Sequence, residues 1–184
     1  MNKWNQKRTI MRCYDSTAEM YEIRYAKEQA TKYKAALEHL DINSGSVVDV
    51  GCGTGLLFSE VAAEAQEVVG VDVSGKLLLQ ARERARIFRN VQLVQADADH
   101  LPFKNDHFSV VFAFTMLQNM PKPLETLSEI KRIAECGASV VVTGLKKVFS
   151  FEAFQALLRE AGLQVVFHDE TDSLKCYVAV TVRN

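Results

Sequence analysis

The chain has 184 residues, enough for one domain that buries its own core without metal or disulfide staples. Hydrophobic residues make up 48% and charged residues 24%, and a formal net charge of −1 excludes a global field drawing the protein to nucleic acid or to a membrane surface. The four cysteines, Cys13, Cys52, Cys136 and Cys176, form no Cys-x-x-Cys pair, so no metal site built from local pairs is expected. With neither a secretory signal nor a run of about 18 apolar residues, the expectation is a reduced, cytoplasmic protein with no membrane role.

The chain opens on a basic stretch, with Lys3, Lys7, Arg8 and Arg12 and no acid among them. Such a stretch reads as a solvated arm, with contact to an acidic substrate as the alternative. From Glu28 to Leu40, the spacing of Ala30, Tyr33, Leu37 and Leu40 predicts a helix, ended by Asn43-Ser44-Gly45. Ser46–Val50, almost continuous in valine, predicts a central strand covered on both faces. A helix follows over Leu56–Ala65, then a strand over Glu67–Val73. Ser74 caps the next helix, whose buried stripe is Leu77, Leu78, Ala81, Ala85 and Phe88.

Val91–Ala96 and Phe108–Phe114 read as the third and fourth strands. Pro123–Glu135 reads as a helix stopped by Gly137, and Ala138–Leu145 as the fifth strand. Ser150 caps a last helix ending at Gly162. Leu163–His168 and Cys176–Val182 then form a hairpin, whose short polar turn requires antiparallel strands. Alternating strands and helices predict a mainly parallel sheet in an α/β domain.

The strongest chemical signal is Val47-Val48-Asp49-Val50-Gly51-Cys52-Gly53-Thr54-Gly55, a strand running into a glycine turn and then a helix. Gly51, Gly53 and Gly55 allow positive φ and close approach of a ligand to the backbone. Asp72 ends the second strand and is placed to accept from both hydroxyls of a ribose. A dinucleotide-binding protein, such as a dehydrogenase, shares those two features. Against it stands Asp49 just before the loop, because a carboxylate there repels pyrophosphate and suits a cationic ligand, such as the amino and sulfonium groups of S-adenosylmethionine.

From Tyr14 onward the sequence resembles the class I S-adenosylmethionine-dependent methyltransferases, particularly the branch of ubiquinone and menaquinone C-methyltransferases. Val47–Gly55 resembles the family's first motif, Val69–Ser74 the second and Gln95–Phe103 the third. The resemblance implies a Rossmann-like three-layer sandwich with a seven-stranded sheet in the order 3-2-1-4-5-7-6, strand seven antiparallel. It implies S-adenosyl-L-methionine as cofactor, held by Asp49, Gly51, Cys52, Gly53, Gly55, Asp72, Val73, Asp97, Ala98 and Phe114. Asp97 would accept from the adenine amino group and the Ala98 amide would donate to a ring nitrogen.

Residues 1–27 would form a lid or substrate segment over a core of residues 28–184, with Tyr14 and Tyr21 reaching the site or, alternatively, packing as a helix face. In the loop after strand four, many relatives carry histidine where this chain has Gln118 and Asn119, neither of which is a general base. Both are candidates for contacting the acceptor. Only Lys146–Phe149 separates strand five from the last helix, where substrate-recognition insertions often lie. The domain is therefore expected to be minimal, its acceptor pocket formed largely by the N-terminal segment. A small-molecule acceptor is the leading expectation; the alternatives are RNA or protein methylation with an activating partner subunit, for which the absent insertion is the motive, or a non-catalytic cofactor-binding module.

Overall fold

Successive side chains point to opposite faces of a strand, and here both faces are covered. Among Val47, Val48 and Val50 of strand β1 (Ser46–Val50), Val47 joins one apolar cluster, while Val48 and Val50 join the other. The computed structural model describes the backbone of residues 3–169 and 174–184, and the side chains of residues 5–12, 26–169 and 174–184. Helix α1 (Lys3–Leu37) precedes β1; α2 (Phe58–Val61), β2 (Glu67–Asp72), α3 (Gly75–Ala85), β3 (Val91–Gln95) and β4 (Phe108–Ala113) follow it. The chain then passes a 3₁₀ turn (Leu117–Asn119), α4 (Pro123–Ile133), β5 (Ala134–Leu145), α5 (Phe151–Glu160), β6 (Leu163–Asp169) and β7 (Cys176–Arg183).

The strand order is β3-β2-β1-β4-β5-β7-β6, as the resemblance implies. Strands β1 to β5 pair in parallel, and β7 is antiparallel to both β5 and β6. One face packs Val111, Ala113 and Val140 against Leu127 and Ile130 of α4 and Phe154 and Leu158 of α5. The other packs Val68, Val110 and Phe112 against Tyr33 and Ala36 of α1, Phe58 of α2 and Ala81 of α3. The result is three layers. Strand order reverses between β1, which leads outward to β2, and β4, which leads the other way to β5. A crevice opens beyond the carboxyl ends of strands at such a switch point.

Three local expectations are corrected. Helix α1 begins at Lys3 rather than Glu28. Residues 3–27 are mostly helix-forming types but carry no single apolar stripe, so periodicity does not reveal them. Within the predicted part of that helix the buried face is Gln29, Lys32, Tyr33 and Ala36, and Ala30 is exposed. Strand β5 begins at Ala134, directly from α4, and Gly137 (φ +82°) lies inside it where the pairing with β4 shifts register, so that glycine makes a bulge rather than a helix stop. Both predicted caps form: the Leu77 amide donates to Ser74 Oγ at 3.1 Å and the Ala153 amide to Ser150 Oγ at 3.2 Å.

Candidate functional site

The glycine loop leaves β1 and is pinned to β2 by its backbone, with Gly51 and Cys52 amides donating to the Val71 carbonyl at 2.8 and 2.9 Å. Gly51, Gly53 and Gly55 all have positive φ, at 80°, 56° and 76°. A side chain at Gly51 would place its Cβ 3.0 Å from Met116 Cβ, so the bare backbone there lets the β1 turn and the segment after β4 approach. From α3, Arg84 Nη1 donates to the Thr54 carbonyl at 2.5 Å and steadies the far side of the turn.

Asp72 crosses from β2 to this loop. Its Oδ2 accepts from the Gly53 amide at 2.9 Å and its Oδ1 from the Ser74 amide at 2.8 Å. A carboxylate oxygen can accept more than one hydrogen bond, the chemistry a ligand hydroxyl at this edge would use. Beyond β3, Asp97 Oδ1 accepts from the Asp99 amide at 3.0 Å, a tight turn that presents the Asp97-Ala98 backbone to the crevice. The segment that follows is held by α4: the Leu101 amide donates to Glu129 Oε1 at 2.7 Å, and Arg132 donates to the carbonyls of Leu101 and Phe103 at 3.0 and 2.8 Å. The Arg132 guanidinium beside Glu129 keeps that carboxyl below its usual range.

Gly51, Gly53, Asp72, Val73, Asp97, Ala98, Phe114 and Asn119 line one cavity, together with Met116 and Met120. Asp49 and Cys52 face a second recess behind the loop, sharing Gly51, Gly53 and Phe114 with the first and adding Gln29 and Tyr33 from α1. Gly55 and Gln118 line neither; Gly55 turns into α2, and the Gln118 Nε2 donates to the Thr115 carbonyl at 2.5 Å while its Oε1 is buried without a partner. The side chains of Tyr14 and Tyr21 lie outside the described residues.

Asp49 is 3% exposed. Burial, reinforced by the negative charge of Asp72, raises its pKa to about 8, and no donor among the described residues is bonded to its carboxylate. The same burial, with Asp49 and Asp72 nearby, pushes the Cys52 thiol well up, so it stays neutral and is no nucleophile. A cationic group in the recess would relieve Asp49, and the residues present thus fit the amino end of S-adenosylmethionine. Among the described residues no cluster of histidine, cysteine and acid side chains is arranged to hold a metal ion, and no helix is long and apolar enough to cross a membrane.

Several contributors were not identified from the sequence. Lys7, in the basic opening stretch, is 8% exposed rather than solvated, and with Ile10 it lines the first cavity. Its ammonium lies 2.5 Å from Asp97 Oδ1 and also bonds Asp99. Arg8 and Arg12 in the same stretch are exposed. Gln29 and Lys32 of α1 meet Thr115, the residue after Phe114, each at 3.1 Å from its Oγ1. A lysine and a glutamine at helical spacing with Tyr33 and Ala36 were the available signal. Lys146, the first residue after β5, lies over the Tyr177 ring at 5.4 Å.

Residues 48–142 match the family described as methyltransferase domain, just over half of the chain. Demethylmenaquinone methyltransferase of Staphylococcus saprophyticus is 33% identical over 119 residues, covering 62% of this chain and 51% of that protein, so the chain spans about half the length of this curated relative. A SAM-dependent methyltransferase from Aquifex aeolicus superposes with a TM-score of 0.81 at 19% identity, over 92% of this chain and 98% of that one. A methyltransferase in complex with the Trm112 activator of Haloferax volcanii superposes with a TM-score of 0.76 at 20% identity, over 92% and 96%. The glycine turn, Asp72, Asp97 and the segment after β4 lie within residues 48–142, and the chain belongs to the methyltransferase-domain family, with the fold of the S-adenosylmethionine-dependent enzymes.

Proposed function

We propose that this chain binds S-adenosyl-L-methionine and transfers its methyl group to a small-molecule acceptor, with residues 1–27 as a lid on a single core of residues 28–184. The observation that carries this reading is the buried Asp49 carboxyl group, without a bonded donor among the described residues, beside a cavity edged by Asp72 and Asp97. Asp72 would take the ribose hydroxyls, Asp97 and the Ala98 amide the adenine, and Asp49 the cationic amino end. Gly51 and Gly53 leave room for the ligand along the backbone, Gly55 lets the turn close on Phe58 of α2, and Val73, Cys52 and Phe114 supply apolar walls. The cofactor supplies a methyl group on a positively charged sulfonium, an electrophile that needs alignment and dryness more than activation.

Met116, Asn119 and Met120 edge the cavity after β4, on the side open to an acceptor. The amides of Gln118 and Asn119 hydrogen-bond but take up no proton. An acceptor that loses a proton on methylation would therefore pass it to water, or carry an acidic enough group itself. A demethylmenaquinone methyltransferase among the relatives supports a small, apolar-bodied acceptor, as does a cavity walled by two methionines and a phenylalanine.

A second reading, RNA or protein methylation with an activating subunit, is supported by the short Lys146–Ser150 connection between β5 and α5 and by the activator complex among the structural neighbours. Calorimetry with S-adenosylmethionine and with NAD tests the cofactor, and tight NAD binding without S-adenosylmethionine binding would sink the reading. Incubation with methyl-labelled S-adenosylmethionine and fractionated extract tests the acceptor. Label in metabolites is expected; label in RNA or protein, only when other proteins are added, selects the second reading.

A further inference from the structure

Lys32 is one of the largest fully buried side chains, at 1% exposure, although it carries a charge. Its ammonium pairs with Glu28 Oε1 at 3.0 Å, and Glu28 is itself paired with Lys175 at 3.0 Å. The remaining capacity of the ammonium goes to Thr115 Oγ1 at 3.1 Å and to the Cys176 thiol of β7. A lone buried ion pair is a weak source of stability, because the cost of removing both charges from water offsets their attraction. The partner of interest is therefore Thr115.

Thr115 has φ +56°, a left-handed conformation that a β-branched residue adopts only when its surroundings enforce it. All its polar atoms are engaged. Its amide donates to Thr143 Oγ1 at 2.7 Å, its carbonyl accepts from Gln118 Nε2 at 2.5 Å, and its hydroxyl lies 3.1 Å from Lys32 Nζ and 3.1 Å from Gln29 Nε2. Met116, the next residue, is where a Cβ on Gly51 would make contact, and Asn119 lies three residues further along the same cavity wall. The conformation at Thr115 thus sets where the acceptor side of the cavity stands relative to the glycine loop.

We infer that Lys32, with Gln29, is a positioning residue: from α1 it holds the Thr115 hydroxyl, and through Thr115 it aims the Met116–Asn119 segment at the methyl-transfer site. This rests on the proposed methyltransferase reading for what the segment is aimed at, but the contact itself is independent of it. The same pair ties α1 to the acceptor wall, so the helix whose first turns carry Lys7 also sets that wall.

The test uses the full chain and four variants, Lys32→Met, Thr115→Val, Thr115→Ser and the double variant Lys32→Met with Thr115→Val, read by thermal unfolding, amide hydrogen exchange and calorimetric binding of S-adenosylhomocysteine. Lys32→Met leaves Glu28 with Lys175 alone and is expected to lower the unfolding temperature modestly, while exchange at amides 116–120 rises about tenfold, well beyond any rise in β1 and β2. Thr115→Val and the double variant should match it, and Thr115→Ser, which keeps the hydroxyl, should behave as wild type. Exchange that rises evenly across the sheet, additive single effects, or loop exchange that does not move in either Lys32→Met or Thr115→Val overturns the inference. Failure of the wild-type chain to bind S-adenosylhomocysteine overturns the functional reading instead, while the exchange result still decides the role of Lys32.

Discussion

The two flanks of the crevice are built by different means. On the donor flank, β1, β2 and β3 present backbone and short acids: Gly53 and Ser74 amides meet Asp72 within a span of about twenty residues, and the turn at Asp97 closes on itself through the Asp99 amide. On the acceptor flank, the segment after β4 is shaped by long side chains from α1, across sequence separations of 83 and 86 residues for Lys32 and Gln29. The donor flank is rigid because local geometry leaves it little choice. The acceptor flank depends on α1 being docked, so on the proposed reading the substrate side of the site is the side that α1 can adjust.

The largest effect should come from filling the donor turn. At Gly55 an added Cβ would lie 2.3 Å from Phe58 Cε2 of α2, at a φ of +76°. Left-handed backbone in a residue with a Cβ costs about 1–2 kcal/mol and overpacking about 1–3 kcal/mol. Gly55→Ala is therefore expected to lower the unfolding temperature by roughly 5–15 °C. Gly137→Ala, at φ +82° with nothing within 4 Å of the added Cβ, carries only the backbone part. Thermal unfolding of both variants checks this; equal shifts would mean that Phe58 gives way and the turn is looser than its contacts indicate.

Next in size is Asp72→Ala, which leaves the Gly53 and Ser74 amides without their acceptor and, on the proposed reading, deletes the partner for the ribose hydroxyls. Calorimetry should show S-adenosylmethionine binding weaker by about 1–3 kcal/mol, the scale for leaving buried polar groups unpaired. Unchanged affinity would remove Asp72 from the ligand's path and reduce its role to holding the turn.

These two positions, Gly55 and Asp72, belong to the flank that was legible in the sequence. A turn that needs three positive φ angles admits almost only glycine, and a parallel strand covered on both faces reads as a run of valines. Strand order followed from the resemblance, and the antiparallel end from the short link between the last two strands. What escaped notice was set by tertiary contact. Lys7 reads as a solvated charge until it is seen against Asp97 and Asp99, 90 and 92 residues away. Thr115 carries no mark of its left-handed backbone, since threonine is a strand former and the enforcing donors come from another layer. Residues 3–27 lack an apolar stripe, so nothing local announces a helix that crosses the site.

A third effect joins the flanks, because Asp49 sits behind the glycine loop and faces Gln29 and Tyr33 of α1. Its pKa of about 8 means that the ligand-free protein holds this acid protonated at pH 7. The raised value makes ionisation unfavourable in the folded state, so stability falls as pH rises from the unfolded carboxyl's range through 8. Binding a cation reverses that balance: the complex favours the ionised acid and releases a proton. Affinity for S-adenosylmethionine should accordingly rise about tenfold between pH 6 and 7.5, with proton release visible as a dependence of binding enthalpy on buffer ionisation. Asp49→Asn should flatten both. A flat profile in the wild-type chain would place the cationic end of the ligand elsewhere.

The smallest effect tests whether α1 plugs the donor flank as well as shaping the acceptor flank. The Lys7 ammonium neutralises Asp97 and Asp99 at the edge of the cavity, where the adenine is expected. A ligand amino group that bonds Asp97 must share or displace that ammonium, and the lost pairing subtracts from the affinity. The ammonium and both carboxylates are largely buried, with side chains 9%, 17% and 7% exposed, so the cost of removing these charges from water offsets much of their attraction and the net worth of the pairing is on the order of 1 kcal/mol. Lys7→Met keeps an aliphatic side chain on the cavity wall and removes the charge. Binding of S-adenosylmethionine should then tighten about two- to fivefold, by up to the full worth of the pair, and lose part of its salt dependence. Weaker binding in this variant would reverse the assignment: Lys7 would be a wall of the cofactor site that closes with the ligand in place, and α1 would serve both flanks as a clamp rather than one as a plug.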